Sequence, residues 1–126
     1  MSFIYNAENY ILKHRIMLGD VLDVPAEEEQ PWVELREPDS GDLFQASQQI
    51  QSGDSATQIT TISALFPKVL VDHNLEIEPG KKHPDDVVVH LMQNRPKVTL
   101  KVATEYGEKV LFLLLVGQKQ KKSSSV

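Results

Sequence analysis

Seven prolines divide this chain into short pieces, and they constrain its fold more than any other feature. Proline fixes φ, carries no amide hydrogen and clashes with the preceding helical turn, so no helix or central strand runs through one. Pro25 and Pro31 bound the stretch PAEEEQP, which reads as a surface connection. Pro38 ends the segment before it, Pro67 closes a helical pattern, and Pro79 with Gly80 marks a loop. Pro84 stands where a helix begins, and Pro96 breaks or restarts one.

Between these breaks the apolar periodicity assigns the elements. WVELRE, from Trp32, alternates Val33 and Leu35 with Glu34 and Arg36, the period of a strand with one wet face. Tyr10 to Val24 fits a helix or a half-buried strand, with Gly19 interrupting either; pairing with Trp32 to Glu37 favours the strand. Asp39 or Ser40 can cap a helix whose face is Leu43, Phe44, Ala46, Ser47 and Ile50 and which Gly53 closes. Ser55 with Gln58 has the spacing of a capping box for a second helix carrying Ile59, Ile62, Leu65 and Phe66. KVLVDHNLEI reads as a short strand or another helical turn, and EPGKK as a loop.

Asp85 and Asp86 suit the first turn of a helix that turns Val87, Val88, Leu91 and Met92 to the core. Residues 96–104 alternate as a strand but also continue into helical spacing through Tyr106, Val110 and Leu113; among so many helices, helix is the choice. These readings predict a mainly α fold, a small helical domain with a short N-terminal β-hairpin or extended segment. Residues 1–116 form one globular domain and 117–126 a disordered basic tail.

Charge is uneven: residues 1–60 hold three basic against eleven acidic side chains, and residues 61–126 hold ten against seven. Opposite halves can attract one another, but ordinary solvated faces with a basic tail are the preferred reading over an assembly role. The absence of cysteine excludes disulfides and thiolate chemistry. With no basic-then-apolar leader, and with Val110 to Val116 far shorter than the ~20 residues that cross a bilayer, the expected place is the cytoplasm, away from membranes.

Catalytic patterns are missing. The histidines His14, His73, His83 and His90 form no His-x-x-x-His pair, and the closest metal constellation, His83, Asp85, Asp86 and His90, is better explained by helix capping. Glu27, Glu28 and Glu29 are solvated loop carboxylates, and Asp72 and His73, as neighbours, do not face each other. No Gly-x-Ser-x-Gly turn or phosphate loop occurs. The chain is acidic, so nucleic acid is not the expected partner, and Lys119, Lys121 and Lys122 serve solubility. No enzyme, cofactor or metal site is expected. What remains is VLFLLLV, apolar on every side, which must be buried in the domain's core or against another molecule.

The order of these pieces carries a resemblance. WVELREPDSGDLFQAS, then ALFPKVLVDHNLE, then HPDDVVVHLMQNRP and a final apolar helix resemble the tail assembly chaperones of long-tailed bacteriophages, most closely from Leu35 to Phe44. The resemblance spans roughly residues 15–116 and is one of order and texture, without invariant catalytic residues. It implies a helical, homo-oligomeric protein of the bacterial host's cytoplasm. Such a protein coats the tape measure protein while tail tube protein is recruited, and is often made in a second, longer form by frameshifting near the end of the short reading frame; adenine-rich codons for Lys121 and Lys122 would fit such a slip. On this reading Leu43, Phe44, Phe66, Leu111, Phe112, Leu114 and Leu115 form the partner-binding set. A different virion adaptor, such as a head-tail connector or minor tail component, and a small enzyme with an unrecognised site are the rival readings.

Overall fold

The computed structural model describes residue 3, residue 6 and residues 10–114. Its centre is a three-stranded antiparallel sheet in the order β1-β2-β3: β1 is Lys13–Met17, β2 is Trp32–Arg36 and β3 is Leu70–His73. The hairpin of β1 and β2 pairs His14 with Leu35 and Ile16 with Val33, so the open reading of residues 10–24 resolves as a strand over Lys13–Met17 alone, followed by turns at residues 19–23. Ile16, Val33 and Leu35 are fully buried, while Lys13, Arg15 and Met17 stand in solvent. The sheet therefore has one covered face and one open face, as period-two alternation requires.

The helices are α1 (Ser40–Ser52), α2 (Ser55–Ser63), α3 (Phe66–Val69), α4 (Asp85–Asn94) and α5 (Pro96–Tyr106). Of these, α3, α4 and α5 pack directly on the sheet, α2 packs on α5 and α1 on α2. A π-helical turn, Gly107–Leu111, prolongs α5, closed by the Phe112 amide donating to the Gly107 carbonyl. One core joins both layers, with Tyr106, Phe66, Met92, Ile16 and Leu18 among its largest fully buried side chains. Burying such side chains is worth roughly 1.5–3 kcal/mol each, and this drives the layering.

The mainly α expectation is overturned, because the sheet gains a third strand and a second ribbon pairs Glu76–Glu78 (β4) with Lys81–Lys82 (β5). The third strand exists because Leu70 and His73 reach the covered face and Glu34 pairs with Asp72 across the ladder. Beyond it Asn74 extends the pairing: its amide donates to the Trp32 carbonyl, its side-chain oxygen accepts from the Trp32 amide at 2.7 Å, and its side-chain NH2 donates to the Gln30 carbonyl. The expected EPGKK loop is the turn of the β4–β5 ribbon. Gly80 adopts φ +83°, a left-handed conformation favouring glycine, and its amide donates to the Glu76 carboxylate.

Local signals were misread in several places, among them the start of α1, where neither Asp39 nor Ser40 makes a side-chain cap. Asp54, not Ser55, caps α2, its carboxylate accepting from the Thr57 amide, while Gln58 turns away to donate to the Ile50 carbonyl. Pro67 does not end a helix; it lies in the first turn of α3, where its missing amide hydrogen has no helical partner to lose. Val87 is 44% exposed, because the buried stripe of α4 runs through Val88 and Met92.

Candidate interaction surfaces

The expected partner-binding residues divide by burial. Phe66 and Leu111 are fully buried in the core, and Leu43, Phe112 and Leu114 are partly buried against it. Phe44, on the outer face of α1, is 52% exposed. Leu115 and the expected tail, 117–126, lie outside the described residues. VLFLLLV is therefore not covered all round: Val110 and Leu111 are sealed, whereas Leu113, between two partly covered neighbours, is 60% exposed.

The polar groups that suggested chemistry are engaged within the fold. His73 is 2% exposed; its Nδ1 accepts from the Leu75 amide at 3.1 Å, and its Nε2 lies 3.4 Å from the Asp85 carboxylate. An acceptor at Nδ1 places the proton on Nε2, which faces Asp85, so the ring fastens β3 to the start of α4 with both nitrogens committed. Asp72 faces away; a hydrogen bond from Lys82 and another from the His73 amide hold its carboxyl below the usual carboxylate range. His90, exposed, bonds Asn94 one turn later. Among the described residues no three histidine or carboxylate groups converge as metal ligands would, and no helix is long and apolar enough to cross a membrane.

A different surface emerges beside β1. His14 Nε2 lies 3.0 Å from the Glu105 carboxylate of α5, and Lys101, one turn before Glu105, bonds Asp20 at 3.2 Å. The Lys101 hydrogen bond holds the Asp20 carboxyl below its usual range. Between this seam and the outer side of α5 runs a groove of about 480 Å³. Val21, Leu100 and Thr104 line it together with three lysines, Lys97, Lys101 and Lys109, and two carboxylates, Glu105 and Glu108.

On the open face of the sheet the Arg15 guanidinium stacks over Trp32, 3.6 Å from the ring centre, a cation–π contact between neighbouring strands. Sequence reasoning missed this region. Its signal was present as the spacing of Lys97 and Lys101 around Leu100, an apolar residue outside the buried stripe Val98, Val102 and Tyr106. No family model, curated protein or solved structure matches the chain.

Proposed function

We propose that this chain works by binding other polypeptides without chemistry, as a phage tail assembly chaperone that associates with itself and shields the apolar helices of a tape measure protein while tail tube protein assembles. One observation carries the reading: the apolar C-terminal run is not consumed by the core, since Leu113 is 60% exposed and Phe112 and Leu114 are only partly covered. Phe44 offers a second half-exposed apolar side chain on α1. Apolar area left in water is the driving force for covering another chain's apolar surface. The net charge of -5 keeps such a complex soluble.

The test is co-expression with a tape measure protein, read by the client's solubility and by light scattering of the purified complex. The Leu113→Asp chain should remain folded, because the side chain is largely in solvent, yet lose oligomers and leave the client insoluble. Unchanged assembly and client solubility in both Leu113→Asp and Phe44→Asp would overturn the proposal.

A further inference from the structure

We propose that the free edge of β1 and the groove beside it accept an extended partner segment of alternating acidic and apolar residues as a fourth strand of the sheet. The groove's lining shares no residue with the set invoked for self-association. The backbone comes first. The Leu18 amide donates to the Pro31 carbonyl at 2.8 Å and the Glu37 amide to the Leu12 carbonyl at 2.7 Å. An antiparallel ladder bonds every second residue, so His14 and Ile16 continue this set toward β2. The amides and carbonyls of Lys13, Arg15 and Met17 consequently point away from β2. The strand order leaves β1 at the margin of the sheet, and among the described residues no hydrogen bond takes those groups. Such a row is a template for strand addition.

The side chains then select the occupant. A strand added to β1 alternates its residues between the open face and the helix side. On the helix side its residues enter the groove, whose margin is fixed to β1 through His14 and Glu105 and where Leu100 is 53% exposed. That side fits apolar residues. On the open face they stand next to Lys13 and Arg15. Lys13 lies directly opposite Arg36 across the ladder, a like-charge pairing that the Arg36–Asp39 ion pair relieves only on the Arg36 side, and no carboxylate among the described residues pairs with Lys13. An acidic residue on the incoming strand offsets that repulsion. A second copy using the same edge, centred on Arg15, would instead set Arg15 against Arg15, so the cationic edge selects against itself.

The test titrates the full chain into a labelled nine-residue peptide that alternates glutamate with leucine, read by fluorescence anisotropy. In antiparallel addition the residues facing Lys13, Arg15 and Met17 exchange both backbone bonds with them. The peptide N-methylated at its glutamate amides should therefore bind at least tenfold more weakly, and the peptide N-methylated at its leucine amides should bind like the parent. Met17→Pro removes only an outward amide and should retain the wild-type melting temperature while losing the peptide. Leu100→Asp, on the exposed side of α5, should do the same through the groove. Equal binding of both methylated peptides, or equal binding of a lysine–leucine peptide, overturns the proposal. So does dissociation of oligomers of the peptide-free chain by Met17→Pro, which would make a second copy the occupant.

Discussion

Replacing Tyr106 with phenylalanine tests how α5 is fastened to the sheet. The Tyr106 ring is fully buried, and its hydroxyl donates to the Arg36 carbonyl at 2.8 Å, at the end of β2 where pairing with β3 has already stopped at Leu35. The hydroxyl thus takes the place of a ladder bond. Removing it keeps the apolar packing and strips a partly buried acceptor of its donor, which costs about 1–2 kcal/mol. For a domain of this size that lowers the melting temperature by about 4–8 °C. The pH dependence reports the burial of the hydroxyl itself. Burial pushes the phenol of Tyr106 up from its usual value, so above pH ~10 the unfolded chain releases this proton and the folded chain keeps it. With fewer protons on the unfolded state, stability falls as pH rises; the contribution is complete below pH ~10 and is lost above it. Urea denaturation should show the wild type losing about 1.4 kcal/mol from this group between pH ~8 and pH ~11, a loss the phenylalanine variant lacks. The stability gap between the two proteins should therefore close at high pH. A gap that stays constant from pH 8 to pH 11 would refute the reasoning.

Phe66→Ala, at a fully buried site between α3 and the core, should cost about 3–5 kcal/mol in urea denaturation, a large share of the ~5–15 kcal/mol that holds an ordinary domain together. Asp54→Ala should lower the urea midpoint by uncapping α2, whereas Ser55→Ala should not. Since the Thr57 amide bond holds the Asp54 carboxyl below its usual range, the capping contribution is present above pH ~4 and is lost as pH falls through that lowered value; the alanine variant should lack this acid-side loss. Gly80→Ala should weaken the β4–β5 ribbon, seen as faster amide exchange there, because φ +83° strains a residue with a Cβ.

What could be read from the sequence follows the strength of the local code. β2 was legible because Val33 and Leu35 alternate with charged neighbours and Pro38 follows, and α4 and α5 were legible because Pro84 and Pro96 announce their starts. β3 was not, since its four residues follow α3 without a break and Val69-Leu70-Val71 suits either state until Glu34 supplies a pairing partner. β4 and β5 were illegible for another reason: their five residues are all exposed, so no apolar alternation marks them. The interaction surfaces depended still more on tertiary context. Phe44 and Phe66 look alike in sequence, yet one is half in solvent and the other sealed. The groove needed the turn after β1, at Asp20 and Val21, to meet α5 at Lys101, 81 positions along the chain from Asp20, before it existed.

The π turn explains why the apolar run is divided between core and solvent. Buried residues in this region recur at Val98, Val102, Tyr106 and Val110, a strict spacing of four. An α-helix has 3.6 residues per turn, so a stripe spaced by four drifts around the helix by about 40° per step and would leave the core within a few turns. The wider turn at Gly107–Leu111 takes more residues per turn and winds the stripe back, so that Val110 and Leu111 still face inward. Gly107 makes room at that point, since a Cβ there would lie 3.3 Å from the Ile62 side chain of α2. Once α-helical winding resumes at Phe112, consecutive apolar residues again sweep around the axis, and Leu113 falls on the outer side. A run of leucines leaving the core along a regular helix cannot bury every side chain against one layer, so the backbone geometry that secures Leu111 also delivers Leu113 to the surface.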